Sequence, residues 1–140
     1  MLHHLTDPRL SVIEADATVQ LAALALSRPG VGLVVVCQRG GDTAGVISKS
    51  DLVRHLKNGG SAEAKAATQM SPSIVSCRPE DDLYATWEVM AERGLQHIPV
   101  VVGRSPIGVL DARDALSLLL RQEEYQERLL LNYIAGFGYQ

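Results

Sequence analysis

Gly45-Val46-Ile47-Ser48-Lys49-Ser50-Asp51-Leu52 and Gly108-Val109-Leu110-Asp111-Ala112-Arg113-Asp114-Ala115 carry one pattern. A glycine opens each stretch, two apolar residues follow, then a residue able to cap a helix, and three positions later an aspartate. Gly45 and Gly108 are 63 residues apart, and so are Asp51 and Asp114. Self-similarity at one fixed offset is the mark of a duplicated unit.

Working outward, each stretch follows an apolar β-like run, residues 32–36 and 97–102. Each run follows a helix-like segment, ended by Gly30 and by Gly94. The offset slips by one residue across the turns at 38–43 and 103–105, where slips are tolerated. Upstream, a short extended piece opens each half, at 10–14 and at 73–77. A helix comes next. In the first half Thr18 is the N-cap, with Val19, Ala22, Ala23 and Leu26 on one face. In the second half Pro79-Glu80-Asp81-Asp82 starts the helix and sets acids at the positive end of its dipole. Its apolar face is Leu83, Trp87, Met90 and Ala91. A two-stranded hairpin and a last helix starting at Ser48 or Asp111 complete the unit.

The expected fold is therefore mixed α/β, with two tandem β-α-β-β-α repeats. The first repeat spans residues 1–58, a linker 59–69, the second repeat 70–120, and a C-terminal helical tail 121–140. The linker region is marked by Lys57-Asn58-Gly59-Gly60-Ser61 and an Ala-rich stretch. In the tail, Leu116, Leu119, Leu120, Tyr125, Leu129, Leu130 and Tyr133 keep a helical spacing, and Gly136 is its stop. That apolar stripe has no counterpart in the first half, so it is expected to pack on the first repeat or on a second chain.

Composition narrows the function. The 140 residues are 46% hydrophobic and 21% charged, ordinary for a globular protein. The net charge of −3 and the 4% aromatic content argue against nucleic-acid binding, which needs a basic surplus or stacking platforms. No apolar run is long enough to span a bilayer, and the N-terminus lacks a basic region followed by an apolar core, so a cytoplasmic protein with no membrane partner is expected. Cys37 and Cys77 sit in apolar or β-like runs and read as small buried hydrophobes. The histidines lack ligand spacing, so no metal site is read. His97 reads as a hydrogen-bonded strand residue, and Ser48 has no matched base, so no catalytic residues are assigned.

Met70-Ser71-Pro72-Ser73-Ile74-Val75, then Met90-Ala91-Glu92-Arg93-Gly94-Leu95-Gln96-His97-Ile98-Pro99-Val100, then 108–115 resemble the second repeat of the tandem cystathionine β-synthase (CBS) domain pair, also called the Bateman module. Gly30-Val31-Gly32-Leu33-Val34-Val35-Val36 and residues 45–52 match its first repeat less crisply, and the tail is similar to the C-terminal helix of stand-alone bacterial members. The resemblance implies a disc-shaped pair with a pseudo-two-fold axis, two clefts for adenosine-containing ligands and a tendency to form homodimers. It implies a non-catalytic regulatory module, with AMP, ATP, S-adenosylmethionine or NAD-type nucleotide as ligand, no catalytic cofactor, and an unknown regulated protein as partner.

On that implication, roles follow from chemistry. A carboxylate at a helix start can accept both hydroxyls of a ribose, which suits Asp51 and Asp114. Phosphates want helix-start amides and a cation; Ser48 with Lys49, and Arg113, could supply these. An apolar adenine slot could form from Ser73, Ile74 and the strand around His97, Ile98 and Pro99, with Val12 and Leu33 as counterparts in the first half. Two departures stand out. Asp111 replaces the usual Ser or Thr, and Gln96 stands where an Arg is common. With Asp111 facing the phosphates, a polyphosphate is expected to prefer the first site. The same residues have a plainer use. Ser48-x-x-Asp51 is also a capping pattern and Asp111 an N-cap by itself, so a ligand-free dimerisation or interaction module is the alternative.

Overall fold

The structure is a computed structural model, and it describes residues 9–72 and 74–121. The expected tail beyond Arg121 and Ser73 lie outside the described residues. The element order is β1 (Val12–Glu14), α1 (Val19–Leu26), β2 (Leu33–Cys37), β3 (Thr43–Ser48), α2 (Lys49–Lys57), α3 (Leu83–Arg93), β4 (His97–Val102), β5 (Ser105–Asp111) and α4 (Ala112–Arg121). The architecture is mixed α/β. Within the described residues the chain divides into two compact units, one of residues 9–72, 74 and 104–106, the other of residues 75–103 and 107–121.

In the first unit β2 is the central strand, parallel to β1 and antiparallel to β3. Its five residues are all buried, as an apolar run covered on both faces must be. Thr18 caps α1 by accepting the Leu21 N–H at 3.2 Å. The helix buries Val19, Ala22, Ala25 and Leu26 against Ile13, Val34, Val36 and Ile47. Ala23, expected on that face, is exposed, and Ala25 takes its place. The buried stripe turns toward the Ala22–Ala25 side, which leaves Ala23 past its edge.

The linker is tied down rather than loose. The first N–H groups of a helix have no partner inside it. Here Val19 and Gln20 donate theirs to the carbonyls of Ala64 and Ala62, at 2.8 and 2.9 Å. At the other end of the linker, Gly60 N–H donates to His55 O at 2.8 Å, and the His55 ring meets Ser61 O at 2.7 Å. Met70 and Ser71, expected to open the second repeat, pack on β3 of the first unit. Ser71 and Val46 exchange both backbone hydrogen bonds, at 2.8 and 3.1 Å. This crossing explains the glycine that opens the repeated pattern. A Cβ on Gly45 would lie 2.6 Å from Met70 Sδ and 2.8 Å from Ser71 O.

The second unit repeats the plan with one loss. Asp82 caps α3 through the Ala85 N–H at 2.9 Å, and Gly94 ends it in the left-handed region at φ 66°. Leu83 and Met90 are buried with Cys77, Ile98, Val100, Leu110 and Leu118, and Trp87 packs half-buried against them. Ala91, one position beyond Met90 on the helix, is exposed rather than part of the face. The extended piece expected over 73–77 contributes only a bridge, Cys77 to Val100, so the sheet here is β4 and β5 alone. The reason is a missing donor. In the first unit the third residue of β2, Val35, donates its N–H to Ser11 O at 2.9 Å. The third residue of β4 is Pro99, which has no N–H to give. The ladder keeps only Cys77 N–H to Pro99 O at 3.1 Å and Val101 N–H to Cys77 O at 2.8 Å.

Candidate functional site

The repeated patterns fold into two helix starts, one in each unit. In the first, Ser48 is the N-cap of α2 and Asp51 completes a capping box. Asp51 Oδ2 accepts the Ser48 N–H at 2.8 Å and the Ser48 hydroxyl at 3.1 Å. Its Oδ1 accepts from Arg54 at 3.1 Å. Ser48 Oγ also lies 2.9 Å from Ser50 Oγ. Asp51 is mostly buried, while Arg54 and Lys49 are exposed. Both oxygens of the carboxylate expected to hold a ribose thus have partners inside the first unit.

In the second unit Asp111 takes the capping place. Its Oδ1 accepts the N–H groups of Arg113 and Asp114, at 2.8 and 3.0 Å. Its Oδ2 sits 2.9 Å from His97 Nε2. The Ala112 N–H donates to Gln96 O at 2.9 Å, so the start of β4 and the start of α4 are joined twice. The expected role of Asp111 is a carboxylate facing a ligand's phosphates. The geometry differs: the carboxylate turns back onto its own helix start and onto His97, because those donors are in reach and satisfy it. Arg113 and Asp114 are exposed on the first turn of α4.

The residues expected to form adenine slots divide. Val12 is half exposed and lines a groove of about 350 Å³ in the first unit, together with Ser11, Ile13 and the α1 residues Leu21, Leu24, Ala25, Ser27 and Arg28. Ile98 lines a groove of about 320 Å³ in the second unit, with Val75, Ser76, Cys77, Asp81, Asp82, Ala85, Thr86 and Val89. Leu33 and Pro99 are buried strand residues, and Ile74 is half-buried. Ser48, Lys49, Asp51, Asp111, Arg113 and Asp114 line neither of these two grooves. The two grooves occupy matching places, between the opening extended piece and the first helix of each unit.

Sequence reasoning missed several side-chain contacts besides that of His97 with Asp111. Arg54 on Asp51 was legible, since the two lie three apart on one helix. The bond from Arg28 to Ser11 Oγ, 3.1 Å, joins positions 17 apart and carried no signal. The His55 contact with the linker carbonyl was likewise hidden. Both cysteines are free and buried. Burial, with a smaller contribution from the Asp81 charge, pushes the Cys77 thiol from the ordinary 9.0 up to about 12. Cys37 is raised as well, chiefly by burial. Among the described residues no three His, Cys, Asp or Glu side chains gather into a metal-binding group. Among the same residues no helix is long and apolar enough to cross a membrane.

A duplicated mixed α/β unit, each copy running its hairpin directly into a capped helix, defines a tandem-repeat domain pair. The chain belongs to the CBS domain family, whose model matches it twice, over residues 3–58 and 64–121. It is similar to arabinose 5-phosphate isomerase GutQ of Shigella flexneri, with 31% identity over 102 residues, 71% of this chain and 32% of that protein. The chain therefore spans about a third of that relative's length. Among solved structures it is similar to a CBS domain protein from Pyrobaculum aerophilum complexed with AMP, at TM-score 0.73 and 22% identity, covering 88% of this chain and 98% of that one. It is also similar to the cytosolic domain of the Mg2+ channel MgtE in complex with ATP, at TM-score 0.68 and 23% identity, covering 81% of this chain and 46% of that one.

Proposed function

We propose that the chain is a non-catalytic, cytoplasmic regulatory module that binds an adenosine-containing nucleotide and signals through a homodimer to a separate protein. The observation that carries this reading is the doubled CBS pattern, which sets Asp51 and Asp114 at the same place on α2 and α4. The AMP held by the Pyrobaculum protein and the ATP held by the MgtE domain support an adenine nucleotide as the ligand class. Ser48 and Lys49 in the first unit and Arg113 in the second are the donor and cations this reading assigns to a phosphate. Of the residues expected to form the adenine slots, Val12 and Ile98 line the two apolar grooves and support this reading. Leu24, Val53 and Leu56 are exposed apolar residues on α1 and α2 of the first unit, and they support a self-association face.

A second reading has its own support. Asp51 is fully engaged by Ser48 and Arg54, as a structural cap would be, which fits a ligand-free dimerisation module. Thermal unfolding with adenosine, AMP, ATP, S-adenosylmethionine and NAD separates the two. A ligand that binds only the folded state at about 100 times its Kd adds about 2.7 kcal/mol of stability, a shift of several degrees. The nucleotide reading expects such a shift with at least one compound and its loss in Asp51→Asn or Asp114→Asn. No shift with any compound, with a dimer in light scattering, establishes the ligand-free module instead.

A further inference from the structure

The two helix starts are not chemically equivalent, and the difference lies in what already occupies them. At the start of α4 the Asp111 carboxylate collects three donors, the N–H groups of Arg113 and Asp114 at 2.8 and 3.0 Å and the His97 ring at 2.9 Å. Helix-start amides are the groups that hold a phosphate. Here they already hold an anion, which belongs to the protein. Both His97 and Asp111 are only 25% exposed, so water does little to weaken the arrangement. The matching positions of the first unit are Leu33 and Ser48. Leu33 offers no donor. Ser48 is neutral, and its hydroxyl accepts from the Asp51 N–H only at 3.4 Å, near the outer limit of a hydrogen bond. The carboxylate there, Asp51, bonds Ser48 and Arg54 and leaves the α2 amides to other partners.

We infer that Asp111, oriented by His97, is a built-in anion that closes the α4 helix start to phosphate and makes the second unit select adenosine, or another uncharged or zwitterionic nucleoside, over its phosphorylated forms. The inference rests on the nucleotide reading above and specifies the ligand charge at one of its two sites. His97 is a positioning residue: it fixes the carboxylate rotamer and touches no ligand. A phosphate entering this site must displace Asp111 from three bonds or stand beside its charge, with Asp114 a second carboxylate on the same turn and Arg113 the cation beside it.

Calorimetry on the full chain tests this with adenosine, AMP and ATP as the probes. The variants are Asp111→Ser, Asp111→Asn and the double variant His97→Leu/Asp111→Ser, which installs the first unit's pair. Removing one unit of opposing charge from a partly shielded site is expected to strengthen ATP binding at the weaker site about tenfold or more, with adenosine changed less than about threefold. His97→Leu removes one of the three bonds that hold the carboxylate over the helix start, so it is expected to strengthen ATP binding less than Asp111→Ser does and to move the ATP-to-adenosine affinity ratio in the same direction, a split that a merely structural role for His97 would not produce. Asp111→Asn keeps an acceptor for the two amides and reads the same charge effect should Asp111→Ser fold poorly. An ATP-to-adenosine affinity ratio unchanged in both Asp111 variants, with adenosine still bound, overturns the plug and leaves the nucleotide reading intact. Absence of any binding in wild type and variants refutes the nucleotide reading and this inference with it.

Discussion

Gly45→Ala places the sharpest demand on the structure. The new Cβ would stand 2.6 Å from Met70 Sδ, 2.8 Å from Met70 Cγ and 2.8 Å from Ser71 O. The methionine is flexible and can swing aside at small cost. Ser71 O cannot, because it accepts the Val46 N–H at 3.1 Å while the Ser71 N–H donates to Val46 O at 2.8 Å. The strand must therefore be pushed from the crossing segment, straining one or both bonds. Overpacking of this kind costs about 1–3 kcal/mol, and each stretched backbone bond adds about 1 kcal/mol. Alanine recovers about 0.5–1 kcal/mol of glycine's chain entropy. The net expectation is a loss of about 2–3 kcal/mol. Urea unfolding followed by circular dichroism reads it as a lower midpoint at unchanged slope. Gly40→Ala is the control: nothing lies within 4 Å of its Cβ, so it is expected to be neutral or slightly stabilising. A Gly45→Ala loss below about 0.5 kcal/mol, equal to the control, refutes the claim that the Met70–Ser71 crossing sets this glycine.

Two further outcomes follow from buried groups. A Cβ on Gly60 would run into the His55 ring, the group nearest to it. Gly60→Ala is thus expected to cost about 1–3 kcal/mol in wild type and much less in a His55→Ala background, a coupling that a double-mutant cycle measures; additivity would show the clash is absent. Cys77 has its thiol raised from 9.0 to about 12 by burial. A folded pKa above the unfolded one contributes stability below pH 9 that is lost as pH rises toward 12, so Cys77→Ala is expected to flatten the alkaline fall in melting temperature across that window. A profile unchanged in Cys77→Ala, or rapid alkylation of Cys77 in the native chain at pH 8, contradicts the burial.

Much of the site was legible because it is local. A cap, an aspartate three residues on and a basic residue in the same turn are set by helix geometry, so Ser48, Asp51 and the start of α2 could be read directly from residues 45–52. What Asp111 does could not. Its partner His97 is the first residue of β4 while Asp111 is the last of β5, and only the folded hairpin brings the ring to 2.9 Å. Residue order gives the charges around Asp111 but not the ring donor that satisfies its carboxylate.

The division holds for the whole chain. The duplicated 63-residue pattern, the helices of the described residues with their caps, the hairpins and the burial of both cysteines were fixed by residue order, because periodicity, capping and turn chemistry act within a few positions. Tertiary structure decided which face of α1 is covered, that Met70 and Ser71 close onto β3, and that the linker carbonyls of Ala62 and Ala64 complete the start of α1. It also decided the missing strand. Pro99 was visible in the sequence, but its consequence appears only when β4 meets the segment whose carbonyl needed the N–H that proline lacks. Contacts between distant segments depend on how the chain packs, and no local rule reports them.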